Sequence, residues 1–367
     1  MITRCYIHNF RCLENFELPI AQHASSLLIG KNGSGKSAVS HALAILQRVA
    51  RGANRVGGLV QLKDFSRGRA DGPMRFELEV ELEGRGYQYV LAFEFPQGFK
   101  EPRVMEERLR CDAQPVFARE RSQVTLGVDQ GQARFLVDWH LVALPIVQER
   151  DAADPIAVFK RWLSRMLILA PEPGRMSGES AGASLEPDRA LSNFGEWFTG
   201  LIAHSPEAYT TIVDYLRDVI PDLKGIKNPL TGTETRSLSV QFQSDQATLP
   251  LAFTDLSDGE KCFFAGALVL ASVQSLGPLF CFWDEPESHL SIAEVRHFVM
   301  ALRQAFGGAG QFVMTSHHPE AIRAFSPENT FVLTRRSHLE PTSLQRLEAV
   351  PRRPGDLINA LILGELE

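Results

Sequence analysis

The sequence predicts an α/β protein on a mixed, largely parallel sheet, interrupted first by an antiparallel β insertion and then by a helical insertion. Three observations carry that expectation. The apolar run "SSLLIG" leads into "GKNGSGKS" and then into apolar residues at helical spacing. From Met74 to Val137 the pattern alternates apolar and polar, and from Pro155 to Leu223 it becomes helical. The last third alternates strand and helix, the order that builds parallel strands. The expected divisions are 1–150, 151–225 and 226–367: an N-terminal lobe with the β insertion, a helical insertion and a C-terminal lobe.

In chain order, "RCYIHNF" and "NFELPI" read as short strands about a turn, and "SSLLIG" as a buried strand. A helix follows from Lys36 to Val49. "MRFELEVELEG" and "YQYVLAFEF", with "GRG" between them, read as an antiparallel hairpin. "EERLRC", "PVFARE", "SQVTLGV" and "ARFLVDW" continue it as edge-type strands. "IAVFKRWLSRML", "LSNFGEWFTGLIAH" and "AYTTIVDYLRDVI" have helical periods. The intervening "PEPGRMSGESAGASLEPD" is rich in Gly, Pro and Ser and predicts a mobile loop. "SLSVQF" and "TLPLAF" return to strands, followed by "LFCFWD", "IAEVRHFVMALRQAF", "GQFVMTS", "PEAIRAF" and "NTFVLTR" as strand, helix, strand, helix, strand.

Composition narrows the function classes. The chain has 367 residues, 44% hydrophobic and 22% charged, an ordinary globular balance. A net charge of -6 argues against a broadly basic nucleic-acid surface, so non-specific DNA binding would need a local patch. The densest basic segment is Arg48–Gly72, whose glycines suggest an exposed loop; a solvated surface loop is the competing reading. Five cysteines without a CxxC pair read as reduced, buried thiols and point to a cytoplasmic protein. The start, "MITRCYIHNF", lacks the apolar core of a signal peptide. Cys262–Trp283 is free of charge, but Gly277-Pro278 breaks it into a buried helix and a buried strand, so no membrane span is expected.

Four motifs carry chemistry. Gly30-Lys31-Asn32-Gly33-Ser34-Gly35-Lys36-Ser37 fits GxxxxGK[ST], for which a chance match in a chain this long is on the order of one or two in a hundred. Glycines let backbone N–H groups converge on phosphate oxygens, Lys36 can reach the β- and γ-phosphates, and Ser37 can ligate Mg²⁺. In "LFCFWDEPESHL" an apolar strand ends at Asp284-Glu285: one carboxylate can hold Mg²⁺ and the other can deprotonate a water. The competing reading is a pair of surface acids. In "DLSDGEKCFFAGALVL", Ser257 and Gly259 open a helix, where hydroxyl and free N–H groups suit an anion; a plain capping box of Ser257 with Glu260 has the same geometry. "FVMTSHHPEAI" puts His317 at the end of a buried strand, within reach of a γ-phosphate.

Taken in order, "GKNGSGKS", "LSDGE", "FCFWDEPESHL" and "TSHHP" resemble the ABC-type ATPase heads of the SMC and RecF-like superfamily. "IHNFRCLENFELPI" is similar to that superfamily's opening. "EERL", "PVFARE", "VTL" and "LPLAFTDLSDGEK" resemble the armless, stand-alone members allied to the OLD family. The resemblance implies a head that binds ATP with Mg²⁺, hydrolyses it and pairs with a second copy. Lys36 and Ser37 would be the Walker A lysine and metal ligand, with Gly30, Asn32, Gly33, Ser34 and Gly35 around the phosphates. Asp284 would be the Walker B aspartate on the metal, Glu285 the catalytic base and His317 the switch histidine. Ser257 and Gly259 would contact ATP held by the second protomer. Gln148, in "LPIVQERD", would be the Q-loop residue at the metal, and Arg11 would approach the nucleotide.

The chain also departs from its relatives. Leu290-Ser291 stands where they often carry Leu-His, and there is no heptad run for a coiled-coil arm. About fifty residues follow His317, fewer than a domain such as the OLD-family Toprim nuclease takes, so no nuclease is expected in this chain. The implied work is a closed–open cycle coupled to DNA or to a separate effector, in phage defence or DNA maintenance. A RecF-like repair loader and a slow-turnover scaffold restraining a toxin or nuclease are the alternatives. A transporter head is disfavoured by the long antiparallel insertion.

Overall fold

The computed structural model describes residues 1–21, 23–127, 133–308 and 310–350. Strands β1 (Ile2–His8), β2 (Phe16–Leu18) and β3 (Ser25–Ile29) come first, then helices α1 (Lys36–Ala50) and α2 (Val56–Leu59). A run of strands follows: β4 (Met74–Leu82), β5 (Arg85–Glu94), β6 (Arg103–Cys111), β7 (Gln114–Glu120), β8 (Gln123–Leu126) and β9 (Ala133–Leu136). After α3 (Pro155–Ser164) come β10 (Leu167–Leu169), β11 (Glu179–Ser180), α4 (Phe194–His204), α5 (Ala208–Val219) and β12 (Leu223–Lys227). Next are β13 (Arg236–Ser237), β14 (Ser239–Gln243), β15 (Thr248–Ala252) and α6 (Asp258–Leu276). The chain continues with β16 (Leu279–Asp284), α7 (Ile292–Phe306), β17 (Gly310–Thr315), α8 (Pro319–Arg323), β18 (Thr330–Thr334) and β19 (Ser343–Arg346). Two units result: residues 1–23, 28–166 and from 327 on form the first, and residues 24–27 and 167–326 the second. Of the C-terminal lobe expected at 226–367, residues 351–367 lie outside the described residues.

The first unit carries an eight-stranded sheet in the order β2-β1-β4-β5-β6-β7-β8-β9, antiparallel in every pairing. Alternation in β4 buries Met74, Phe76, Leu78 and Val80 on one face, as a half-buried strand requires. The β4–β5 turn is Glu83-Gly84 rather than "GRG". Both residues have positive φ, 52° and 75°, which a two-residue primed turn demands, so β5 already begins at Arg85. Strands β6, β7 and β8 lie inside the sheet rather than at its edge; among this group only β9 is an edge.

Their polar positions are not all solvated. Glu107 of β6 and Arg119 of β7 are buried, with 4.0 Å between Arg119 Nη1 and Glu107 Oε2. Glu107 accepts from the N–H groups of Ala143 (2.6 Å) and Leu144 (2.8 Å) and from the Tyr89 hydroxyl (3.0 Å). Arg119 donates to the carbonyls of Arg121, Asp138 and Leu141. A buried pair endures only when its remaining donors and acceptors are satisfied, and here they fasten the segment 138–144 to the sheet. Helix α3, capped by Asp154 on the Ile156 N–H, packs on α1.

Arg48–Gly72 is not an open basic loop. It folds into α2 and two 3₁₀ turns. Arg48 donates to the Gly58 carbonyl, Arg51 to the Ser164 carbonyl, Arg55 pairs with Glu101, and Arg67 pairs with Glu14 and reaches the Leu339 carbonyl.

In the second unit, β10, β16 and β17 pair in parallel, with Leu169 opposite Trp283 and Asp284 opposite Thr315. The Phe312 N–H bonds the Ala24 carbonyl at the start of β3. The uncharged stretch resolves as expected into α6, a turn at Gly277 (φ 82°) and β16. Helix α6, buried continuously from Lys261 to Val273, is covered by α4, α5 and α7. Among the described residues no helix is long and apolar enough to cross a membrane. The five cysteines are free and buried.

The segment predicted as a mobile loop is packed. Met176 and Ser180 are buried, and β11 pairs with β13. Glycine permits the closeness: a Cβ on Gly178 would lie 2.7 Å from that of Phe253, and one on Gly200 2.3 Å from the Ser184 carbonyl oxygen. Composition signals backbone freedom, but Gly178 serves close approach instead.

Candidate nucleotide-binding and hydrolysis site

The glycine-rich loop belongs to the first unit. Strand β3 ends and the chain turns through Gly30, Gly33 (φ 80°) and Gly35 (φ 107°) into α1. Gly30 abuts β18: a Cβ there would sit 2.3 Å from the Leu333 carbonyl oxygen. A Cβ on Gly35 would sit 2.6 Å from Thr342 Oγ1 and 2.9 Å from Cys12 Sγ. Around Gly33 the space is open, with nothing within 4 Å of such an atom. No side chain caps α1 and its first turn has no acid, so its N-terminal end keeps its positive character.

Lys36 is buried, yet its Nζ donates to the Gly30 carbonyl at 2.7 Å and the Lys31 carbonyl at 3.4 Å, folding the ammonium back over the loop. Asn32 and Ser37 are not buried. Ser34 Oγ is buried and has no hydrogen-bond partner among the described residues. The Ser34 carbonyl accepts from Thr342 Oγ1 at 2.7 Å, and the Thr342 N–H donates to the Cys12 carbonyl at 2.8 Å. An open, glycine-turned loop with a buried ammonium and an uncapped helix end fits a phosphate chain.

Arg11 and Gln148 are in the same unit. Arg11 (φ 54°) is tied to Asp64: its N–H donates to the Asp64 carbonyl at 2.7 Å, and its Nε lies 3.4 Å from Oδ1. Gln148 is exposed, just beyond the segment that Glu107 fastens.

The acidic cluster belongs to the second unit, which brings Asp284, Glu285 and His317 together. Asp284 ends β16, and its Oδ1 accepts from Thr315 Oγ1 at 2.6 Å. The same Thr315 oxygen accepts the Glu285 N–H at 3.0 Å, so one buried hydroxyl fixes both acids. Glu285 has positive φ, 50°, which swings its side chain off the strand line. His317 Nε2 lies 3.3 Å from Glu285 Oε1. Arg189 Nη2 donates to Asp284 Oδ2 at 3.0 Å.

Glu287 is buried, hydrogen-bonded to the Ser316 hydroxyl, and burial pushes its carboxyl up to about 7; the charge of Glu285 adds to that rise. His318, neighbour of His317, serves the backbone instead, its Nδ1 accepting the Glu320 N–H at the start of α8.

Ser257 and Gly259 open α6. The capping box is real: the Ser257 N–H and hydroxyl both donate to Glu260, and the Glu260 N–H returns to Ser257 Oγ at 3.3 Å. A Cβ on Gly259 would lie 3.0 Å from the His289 carbonyl oxygen, which places this turn beside the segment after Glu285.

Among the described residues no group of three or more His, Cys, Asp or Glu is placed to hold a metal. Mg²⁺ needs no such cage, since it keeps waters and substrate phosphates and takes only one or two protein oxygens; within the second unit, the Asp284 carboxylate is an oxygen donor of the kind it takes. Sequence reasoning missed Thr315, Arg189, Glu287 and Thr342. Thr315 sat in plain view at the end of "GQFVMT", a polar residue closing an apolar strand.

No curated protein matches the chain. An Smc head bound to the C-winged-helix domain of ScpA is similar over 95% of this chain and 98% of its own, at 13% identity and a TM-score of 0.57. The SMC head domain from Thermotoga maritima has 13% identity over 94% of this chain and 98% of its own, with a TM-score of 0.47. An Smc head domain from Pyrococcus furiosus bound to the C-terminal domain of ScpA has 12% identity over 95% and 96%, with a TM-score of 0.49. The first of these likenesses gives the fold of an SMC-type ATPase head. A family profile described as "AAA domain, putative AbiEii toxin, Type IV TA system" matches residues 25–323. On that match, over most of its length and including the phosphate loop, Ser257, the Asp284–Glu285 pair and His317, the chain belongs to this AAA-domain family.

Proposed function

We propose that the chain is an ATPase that binds ATP with Mg²⁺, pairs with a second copy on doing so, and passes the closed–open cycle to a separate effector. The observation that carries the reading is Lys36: a buried ammonium turned over an open glycine loop, held by carbonyls that phosphate oxygens could replace. Lys36 and the loop N–H groups bind and orient the phosphates. Ser37 and Asp284 are each candidate ligands for Mg²⁺, which when bound offsets the phosphate charge. Glu285 takes the proton of the attacking water, and His317, 3.3 Å from it, keeps the carboxylate oriented. Ser257, at an exposed helix start, is offered to the second copy's nucleotide, and the Asp284–Thr315–Glu285 chain ties metal ligand to base.

Two observations favour an effector over DNA. The family's description names a toxin and a type IV toxin–antitoxin system. Four arginines of Arg48–Gly72, the segment weighed as a DNA-backbone contact, are engaged by the protein itself. Glu285→Gln tests the reading, since it keeps the shape and removes the base. Light scattering after sizing should show the variant as a monomer without nucleotide and as a dimer with ATP, with turnover lost. A variant that turns over ATP normally, or stays monomeric with ATP bound, would overturn it.

A further inference from the structure

Both oxygens of the Asp284 carboxylate are engaged: Thr315 donates to Oδ1 and Arg189 to Oδ2. The two donors differ in kind. Thr315 is neutral and leaves lone pairs for a cation, whereas the guanidinium is a permanent positive charge that cannot be deprotonated. The Asp284 side chain is only 10% exposed and that of Arg189 33%, so the pair is shielded well enough to hold.

The backbone bearing Arg189 is built to aim it. The Ala170 N–H bonds the Arg189 carbonyl at 2.8 Å, and the Glu172 N–H bonds the Ala190 carbonyl at 3.0 Å. The segment thus runs beside the chain leaving β10, the strand that pairs with β16. Asp188 then closes a tight turn, accepting from the N–H groups of Ser192 (3.0 Å) and Asn193 (3.2 Å) and from the Ser192 hydroxyl. Asn193 Oδ1 in turn accepts the Asp188 N–H at 2.9 Å. Leu191, fully buried, is held at φ 59°, a conformation that persists only where its surroundings impose it. A side chain on so fixed a base can swing by rotamer while its backbone stays put.

We propose that Arg189 is a charge placeholder: in the nucleotide-free protein it neutralises Asp284, and it must release Oδ2 before a divalent cation can take that oxygen. The proposal rests on the reading of Asp284 as a Mg²⁺ ligand. Cation and guanidinium compete for one oxygen, so metal occupancy and the rotamer of Arg189 are coupled. The opposite role, a fixed partner that positions Asp284 for the metal, predicts the opposite sign.

The test is binding of a fluorescent ATP analogue across a titration of free Mg²⁺, with wild type, Arg189→Gln, Arg189→Met and Arg189→Lys, and with Lys36→Ala as the nucleotide-binding control. Losing the competing charge should lower the half-saturating Mg²⁺ of both neutral variants about tenfold, the scale of one partly shielded charged hydrogen bond. Arg189→Lys should stay nearer wild type. Unchanged or raised Mg²⁺ requirement in the neutral variants, with normal wild-type binding, overturns the placeholder. Failure of both neutral variants to fold overturns it too, since Arg189 would then be structural. If wild-type binding does not depend on Mg²⁺ at all, the assignment of Asp284 to the metal falls first, and that result is distinct from the others.

Discussion

Thr315→Val probes how the acidic cluster is held together. Valine keeps the shape of threonine and removes one hydroxyl. That hydroxyl donates to Asp284 at 2.6 Å and accepts the Glu285 N–H at 3.0 Å, and Thr315 is fully buried. The bond to a carboxylate is worth about 1.5–3 kcal/mol. The Glu285 N–H, on a half-buried residue that water can partly reach, adds about 1 kcal/mol. The variant should therefore lose about 3 kcal/mol, a fall of about 6–12 °C in the melting midpoint of a unit this size. Thr315→Ser keeps both hydrogen bonds, loses one buried methyl at about 1 kcal/mol, and should fall between. Urea unfolding followed by tryptophan fluorescence and far-UV circular dichroism measures both. A loss below about 0.5 kcal/mol for valine, or serine as damaging as valine, would refute the reasoning.

Two further outcomes follow from buried carboxylates. Burial raises the Glu287 carboxyl from 4.5 to about 7, so folding takes up a proton between those values. Its contribution to stability is fully present below about pH 4.5 and lost as pH rises through about 7, a change of about 3 kcal/mol. Glu287→Gln should accordingly gain stability relative to wild type from pH 4.5 to pH 8; a difference that stays flat with pH contradicts this. Glu107→Ala strands the buried Arg119 and three donors, and should cost the first unit about 3–5 kcal/mol in urea unfolding, against a contrary result below about 1 kcal/mol.

Local patterns were legible in the sequence and long-range ones were not. "GKNGSGKS" placed its loop and helix correctly because turn, charge and helix start are written within eight residues. The capping box of Ser257 and Glu260, and the acids closing β16, are equally local. Arg189 meets Asp284 from 95 residues away, just after a stretch whose Gly, Pro and Ser content reads as loop. Glu107 shares its strand face with Leu109 and Cys111, and Arg119 with Phe117, so alternation points both inward while their charge argues for solvent; the segment 138–144 folding over them supplies the partners that keep them interior. The basic run from Arg48 looked available because its carbonyl and carboxylate partners lie elsewhere in the chain.

In the proposed function, Gly30–Ser37 binds the phosphates of ATP through Lys36. Titrating wild type and Lys36→Ala with a fluorescent ATP analogue in saturating Mg²⁺ tests it most directly. Wild type should bind saturably, and the variant, with loop and fold intact by circular dichroism, should lose at least about tenfold in affinity, the scale of one charge-assisted contact to phosphate. Equal affinity in the two proteins, or no binding by wild type, would contradict the account.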